Sequence, residues 1–237
     1  MQEIRAKLSS VMTNPTLEWC VQTAQGLPRN VTLREELREY THCQHERLHE
    51  HSCFMALFSQ SLSLGEYREL TRRLYGFYQP LDRAIRRVLL SDEAGRTGYT
   101  YASRSGLLAQ DMLDLGLSAE TIEESPQCDE AYGIVSAATL GGVLYVIEGA
   151  TLGGARIDRA VCRLLASDDP AGRRFWSWCR AEGGRRWPMT NRYLESLEGE
   201  GAAVNDLKTG AFDTFRLLAE WLAPLDRSHA AAVSRVP

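Results

Sequence analysis

The stretch 141-GGVLYVIEGATLGG-154 carries five glycines in fourteen positions, inside a segment whose apolar residues otherwise indicate a helix. Glycine in a helix interior costs about 1 kcal/mol relative to alanine, so these glycines need a reason. Gly142, Gly149 and Gly153 share one face at about 100° per residue. A face without side chains suits a closely packed helix or a large flat ligand, and the pattern alone leaves both open. Glu148 interrupts the apolar run, which argues against a transmembrane glycine dimer.

The bulk composition indicates one soluble domain. The chain has 237 residues, of which 44% are hydrophobic, and this is enough for one sizeable core. Its net charge of −4 excludes the global basic field that recruits nucleic acid or anionic lipid. No run of about 18 apolar residues predicts a membrane span, and the N-terminus lacks the apolar core of a signal peptide. The six cysteines form no CxxC pair, so we expect reduced thiols in a cytoplasmic protein.

Helical patterns dominate and strand patterns are nearly absent, so we predict an all-α fold of six to eight helices. Thr32 and Glu35 form a capping-box pattern that opens the first helix. Gly76 and Pro80 predict a kink or break in the second helix, and the GGRRWP segment (183–188) predicts a break in a later one. The predicted helices cover about 32–51, 65–90, 103–115 and 129–165, one that starts within 168–176, and 189–198 and 203–223.

Three regions follow from this pattern. Residues 1–30 are weakly periodic and predict a loosely ordered lead-in, residues 31–223 form the helical domain, and 224–237 form a frayed tail. The polar, punctuated stretch 114–130 predicts a surface connection between helices.

Four of the five histidines lie within the segment THCQHERLHEH (residues 41–51). His42, His45 and His49 fall on one face of the first helix. Such a cluster either binds a metal or cofactor or is an ordinary set of solvated or packed residues. Neutral imidazole is the usual axial ligand of haem iron.

Two metal alternatives are weaker. The pairs Glu39/His42 and Glu46/His49 have the spacing of a di-iron motif, but that motif needs its pairs on separate helices. Zinc needs three or four converging ligands, and the sequence has no obvious second cluster.

Three segments together resemble the haem oxygenase family, especially the bacterial branch that accompanies bacteriophytochromes or haem uptake. They are LREYTHCQHERL (37–48), GGVLYVIEGATLGGARI (141–157) and, more weakly, FWSWCRAEGGRRWPMTNRYLESL (175–197). The resemblance implies an all-α haem-oxygenase-like bundle that binds one haem b. It also implies oxidative opening of haem to biliverdin, with O₂ consumed and CO and ferrous iron released. Because no nucleotide-binding fingerprint is present, electrons would come from a separate ferredoxin or reductase. A biliverdin-accepting photoreceptor is a further partner that the resemblance suggests.

The resemblance also assigns roles to individual residues. It implies that His45, which follows Thr41, is the proximal iron ligand. It implies that Gly149 and Gly153, with Gly154 beside them, contact the haem and leave room for oxygen. Two further residues, Arg38 and Tyr145, match positions that lie near a haem propionate.

Two departures from the family pattern keep an alternative open. Ala150 stands where animal members have an aspartate that organises water, and His49 stands where the family commonly has a carboxylate. A haem carrier or sensor without catalytic activity on the same fold is therefore the main alternative. A thiaminase-like hydrolase would need an activated thiol, with Cys43, Cys53 and Cys128 as candidates. A purely structural helical partner is the last alternative.

Overall fold

The structure, a computed structural model, describes residues 32–90, 98–128, 134, 136–197 and 201–233. These residues form eight helices and contain no strand, which confirms the predicted all-α class. The helices are α1 (Leu33–His49), α2 (Ser52–Phe58), α3 (Leu64–Leu89), α4 (Ser105–Asp114), α5 (Ala119–Glu123), α6 (Ala137–Leu165), α7 (Arg174–Glu195) and α8 (Gly201–Val233). None of the helices in these ranges is long and apolar enough to cross a membrane.

Helix α1 begins where its capping signal predicts. The Thr32 side chain accepts a hydrogen bond from the Glu35 backbone N–H at 3.3 Å, and the Glu35 carboxylate accepts one from the Thr32 N–H at 2.9 Å. These bonds satisfy two of the donors that a helix start leaves unpaired. Leu33 and Leu37 are buried on the face that packs against α8. Helix α1 is thereby fixed on one side of the core, with its histidine face directed elsewhere.

The sequence predicts a kink or break at Gly76 and Pro80, and helix α3 runs through both residues without a break. Pro80 has no N–H, so the carbonyl of Gly76, four residues earlier, lacks its intrahelical donor. The Cys128 N–H supplies that bond at 2.9 Å. A Cβ at position 76 would overlap the carbonyl oxygen of Pro126, so glycine at this position allows the Pro126 backbone to lie directly against α3. The two helix-breaking residues thus serve one contact with a distant segment.

Helix α7 is also continuous through the GGRRWP segment, so the predicted break there is wrong. A Cβ on Gly183 would lie 3.0 Å from the Thr151 carbonyl oxygen, which shows that this glycine permits close packing of α7 on α6. The N-terminus of α7 is held by Asp111, whose carboxylate accepts the N–H groups of Arg174 at 2.5 Å and Phe175 at 3.0 Å.

Helix α6 is the centre of the molecule, since α7 and α8 make their most extensive packing contacts with it and α2 and α3 also touch it. It starts at the Ser136 cap and ends at Ala166, whose φ of 49° is left-handed.

Several predicted boundaries differ from those of the structure. The first residues of the predicted glycine-bearing helix, 129–136, lie largely outside the described residues. Helix α8 continues past Pro224 to Val233, beyond the predicted end. The predicted connection 114–130 contains α5, whose Ile122 is buried. The proposed limits of the three regions stay predictions.

The cysteines differ from the prediction at one position. Cys53, Cys128, Cys162 and Cys179 form no disulfide, whereas Cys43 is disulfide-bonded. Spacing along the chain excludes a CxxC motif but cannot show which cysteines meet in the fold, and for this reason the disulfide was not anticipated.

Candidate functional site

A cavity of about 500 Å³ lies between α1 and α6, within the size range of small-molecule sites. Its deeper walls come from α2, α3, α7 and α8 and are mainly aromatic and aliphatic. The aromatic lining residues outside α1 and α6 are Phe54, Phe58, Tyr78, Phe175, Trp176, Trp187 and Phe215. Polar side chains concentrate on α1 and on the adjacent part of α6, so the cavity combines an apolar floor with a polar entrance.

The three histidines that share a face of α1 all line this cavity. His45 is about half exposed, with 51% of its side-chain surface accessible. Its Nδ1 lies 3.3 Å from the Glu46 carboxylate, and its Nε2 lies 3.1 Å from Nε2 of His49. Partial burial and the neighbouring His45 lower the pKa of His49, so this imidazole is neutral near pH 7. The α1 wall therefore presents imidazole nitrogens to the cavity, and that of His49 is uncharged.

The fourth histidine of the cluster has a structural role. His51 is buried and caps α2, where its Nδ1 accepts the Cys53 N–H at 3.3 Å. Its Nε2 donates to the Leu222 carbonyl at 3.2 Å and lies 3.2 Å from the Asp226 carboxylate. His51 thus joins α2 to α8 and is not one of the residues that line the cavity.

Opposite the histidines, two glycines of α6 leave the cavity wall bare. A Cβ on Gly153 would meet no atom within 4 Å, and a Cβ on Gly149 would meet only the Trp187 ring, at 3.6 Å. Both glycines line the cavity. Packing of the protein therefore does not require glycine at either position, which is the pattern expected where a ligand approaches the backbone.

The other glycines of α6 serve helix packing. A Cβ on Gly142 would overlap the Leu207 carbonyl oxygen of α8, and a Cβ on Gly154 would overlap Cβ of Cys179 on α7. The packing explanation of the glycine stripe therefore holds for Gly142, and the ligand explanation stays a prediction for Gly149 and Gly153. The predicted contact of Gly154 with haem has no support in this geometry, because this glycine faces α7 and is not among the residues lining the cavity.

The entrance of the cavity carries the two predicted anion-binding residues. Arg38 lies exposed on α1, and Tyr145 lies half-buried on α6. Burial raises the pKa of Tyr145 while its hydrogen bond with Thr41 acts in the opposite direction, so the phenol stays protonated and can donate a hydrogen bond. The Trp187 ring packs between Tyr145, at 5.8 Å, and the Arg34 guanidinium, at 5.5 Å. Trp187 was not singled out from the sequence, because its meeting with α1 and α6 is long-range.

Glu148 of α6 is the centre of a buried network of ion pairs and hydrogen bonds. Glu148 is fully buried and contacts Arg104 at 2.8 Å and Arg186 at 2.7 Å, and it accepts a hydrogen bond from the Tyr99 hydroxyl at 2.7 Å. Burial alone would raise the pKa of Glu148, but the two guanidinium groups outweigh it and hold the pKa below its usual value. The network joins α6 to α7 and to the segment that precedes α4. A single carboxylate inside the apolar run was the only sequence sign of it.

Arg104 is positioned by a second buried carboxylate. Asp82 on α3 accepts hydrogen bonds from the Tyr101 and Ser103 hydroxyls, each at 2.5 Å, and from the backbone N–H groups of Arg104 and Ser105 at 3.0 and 2.9 Å. These bonds fix the start of α4 and direct the Arg104 side chain at Glu148. Helices α3, α6 and α7 and the start of α4 are thus joined by buried hydrogen bonds and ion pairs next to the part of α6 that lines the cavity.

Neither Cys53 nor Cys179 is suited to a nucleophilic role. Burial raises the pKa of Cys53 and of Cys179 to about 12, so both are protonated near neutral pH. Cys43 is disulfide-bonded. The hydrolase alternative therefore lacks an activated cysteine among these residues.

Comparison with known proteins places this geometry in a family. The model of the haem oxygenase family matches residues 31–224, which is most of the chain. No curated protein matches the sequence significantly. Three similar structures are bacterial. Haem oxygenase-1 from the cyanobacterium Synechocystis sp., solved in complex with haem, has a TM-score of 0.72 at 17% identity and covers 86% of this chain and 96% of that one.

The other two comparisons agree. Haem oxygenase from Leptospira interrogans has a TM-score of 0.69 at 16% identity, covering 82% of this chain and 100% of its own. Haem oxygenase-2 from Synechocystis sp., in complex with haem and NO, has a TM-score of 0.71 at 18% identity, covering 86% and 88%. At these identities the structural likeness shows the fold.

Proposed function

Because this chain belongs to the haem oxygenase family, we propose that it binds one haem b in the cavity between α1 and α6 and opens the ring oxidatively. The products are biliverdin, CO and ferrous iron. The observation that carries this proposal is the position of His45 across one cavity from the bare backbone at Gly149 and Gly153. One wall offers an axial nitrogen, and the other permits close approach of a flat ligand.

The residues present fit haem in three respects. An imidazole nitrogen is a suitable axial ligand, the aromatic and aliphatic floor suits an apolar macrocycle, and the entrance offers Arg38 and Tyr145 to carboxylates. Haem would supply the iron and the reactive ring, whose activation of O₂ is the chemistry that the protein itself lacks. The protein's contribution is to orient the ring and to exclude water from its buried edges.

On the α1 side, Glu46 prepares His45 for ligation. A carboxylate next to Nδ1 favours the tautomer with a proton on that nitrogen, which leaves the Nε2 lone pair free. The hydrogen bond between His45 and His49 must open when Nε2 binds iron. A neutral His49 has no charge that would oppose the iron.

On the α6 side, the backbone at Gly149 and Gly153 sets how closely a ligand can lie. Ala150 offers a methyl group in place of a carboxylate, so proton delivery would need other groups or water held by the backbone. This departure is the specific observation that favours the second candidate, a haem carrier or sensor on the same fold.

At the entrance, charge sets the orientation of the ring. Arg38 would pair with one propionate and the Tyr145 hydroxyl would donate to it, and charge-assisted bonds of this kind contribute about 1.5–3 kcal/mol each. We place the protein in the bacterial cytoplasm, with a ferredoxin or reductase as electron donor. The bacterial origin of the similar structures supports this setting, and a biliverdin-accepting photoreceptor is a fitting recipient of the product.

Hemin titration followed by reduction in air tests the proposal. The full chain should form a Soret band with one hemin per chain, and the band should decay into biliverdin absorption when a reductase and ferredoxin supply electrons. A stable band would show a carrier, and no band would refute both haem-based functions.

His45→Ala and His42→Ala form a matched pair for the ligand assignment. The first should lose the axial ligand, the wild-type Soret spectrum and turnover, whereas the second should keep all three. The assignment is wrong if His45→Ala behaves as wild type and His42→Ala or His49→Ala does not.

A further inference from the structure

His45 and His49 form a pair whose geometry suits more than iron ligation by one of them. Their rings lie 4.3 Å apart at an interplanar angle of 54°, and the two Nε2 atoms lie 3.1 Å apart. Both side chains are exposed at the cavity entrance. The one-turn spacing on α1 makes the two side chains neighbours on the helix surface.

The separation of these nitrogens matches that of two ligands on a single metal ion. Zinc–imidazole bonds are about 2.0–2.1 Å long. Two such bonds that meet at an octahedral or a tetrahedral angle place their nitrogens roughly 2.9–3.4 Å apart, by the same bond length. The observed 3.1 Å lies within this interval, so an ion could enter without a change in the backbone of α1.

Glu46 supplies the group that usually stands behind a metal-binding histidine. Its carboxylate lies 3.3 Å from Nδ1 of His45 and can accept the proton on that nitrogen. Metal-binding histidines almost always donate their other ring N–H in this way, and the contact raises the basicity of the ligating nitrogen. When neutral His45 carries its proton on Nδ1, Nε2 of His49 donates to Nε2 of His45 in the metal-free pair. A shift of the His49 proton to its Nδ1 frees the second lone pair without any change of charge.

We propose that the haem-free protein binds one divalent transition-metal ion between His45 and His49. Imidazole ligands select ions such as Ni²⁺, Cu²⁺ and Zn²⁺ over Mg²⁺ and Ca²⁺. Among the described residues, no group of three or more histidine, cysteine or acidic side chains completes a closed site. Water therefore fills the remaining positions, and the site is open and exchangeable.

One consequence rests on the proposed haem function. Because the ion and the haem iron both need Nε2 of His45, each excludes the other. A divalent ion at this pair should slow hemin uptake in the wild-type chain, and in His49→Ala it should slow uptake less, relative to the same variant without the ion.

Calorimetric titration of the untagged, haem-free full chain with NiCl₂ tests the site directly. We expect one ion per chain, with binding weakened at least about tenfold in His45→Ala and in His49→Ala and weakened measurably in Glu46→Gln. His42→Ala is the matched control, since His42 lines the same cavity on the same helix, and it should bind Ni²⁺ as wild type does. Thermal melting of each variant checks that the fold is retained.

Electron paramagnetic resonance with Cu²⁺ gives an independent count of ligands. The wild-type spectrum should show coupling to two imidazole nitrogens and the His49→Ala spectrum coupling to one. The proposal is refuted if Ni²⁺ does not bind, or if His45→Ala and His49→Ala bind it as tightly as wild type. It is also refuted if His42→Ala loses binding to the same extent. These outcomes do not depend on hemin, so they separate failure of the metal site from failure of the haem function.

Discussion

At the residue scale, the glycines of α6 divide according to what lies opposite each one. Gly142 and Gly154 face the neighbouring helices, whereas Gly149 and Gly153 face the cavity. The same substitution should therefore have opposite effects on the haem-free protein at the two kinds of position. This difference gives a direct experimental separation of packing from ligand binding.

Gly153→Leu should leave the haem-free protein at least as stable as wild type and abolish hemin binding or ring opening. No atom lies within 4 Å of the added Cβ, and leucine raises helix propensity by up to about 1 kcal/mol. Gly142→Ala should instead destabilise the haem-free protein by about 1–3 kcal/mol, since the methyl group overlaps the Leu207 carbonyl. Urea unfolding without hemin measures both. A destabilised Gly153→Leu variant with normal turnover would contradict the ligand explanation.

At the element scale, α6 is fixed to α7 by a buried carboxylate between two arginines. Glu148→Gln leaves these guanidinium groups without a counter-charge in the core, and the loss of one partner of a buried ion pair costs about 3–5 kcal/mol. Glu220→Gln is the control, because its pair with Arg216 lies at the surface and contributes about 1 kcal/mol or less. Equal unfolding midpoints in urea for the two variants would show that the network does not stabilise the fold.

Asp111, at the start of α7, should make stability depend on pH. Burial raises its pKa to about 7, although the N–H groups of Phe175 and Arg174 oppose the shift. A carboxyl whose folded-state pKa is raised stabilises the fold most at low pH, and this contribution is lost as the pH rises through about 7. The stability of wild type relative to Asp111→Asn should thus fall from about pH 4 to about pH 7 and stay constant above that. A difference that is constant over this range would mean that Asp111 does not titrate there.

The positions where helices begin could be predicted from the sequence, whereas the absence of breaks within α3 and α7 could not, and the reason is physical. The cap at Thr32 is a local signal, since both partners lie within four residues. Glycine and proline within a helix lower its local stability, and this is visible in the sequence at Gly76, Pro80 and the GGRRWP segment. The contacts that offset this loss, a hydrogen bond from the Cys128 N–H and packing against α6, come from distant parts of the chain. The histidines and cavity glycines were predictable because each set lies on one helix. The Arg104–Glu148–Arg186 network and Trp187 were not, because their partners meet only in the fold.

At the scale of the whole molecule, hemin should stabilise the native state as any ligand that binds only the folded chain does. At a free concentration 100 times the Kd, this linkage amounts to about 2.7 kcal/mol, or about 5–10 °C in Tm for a chain of this size. Differential scanning calorimetry with increasing hemin measures the shift. His45→Ala should show a smaller shift at equal hemin concentration, and an identical shift would mean that the apolar floor alone holds the ligand.

The division of the α6 glycines also has a consequence for how this protein changes over evolutionary time. Selection on folding acts on Gly142 and Gly154 in every descendant, because any side chain there meets another helix. Under the proposed function, selection on ligand binding acts on Gly149 and Gly153, where a side chain would meet little or no protein. A lineage that kept the fold but gave up the flat ligand would therefore lose the second pair of glycines first and retain the first pair. The order in which the glycines of α6 are replaced would therefore distinguish descendants that keep only the fold from descendants that keep the enzymatic activity.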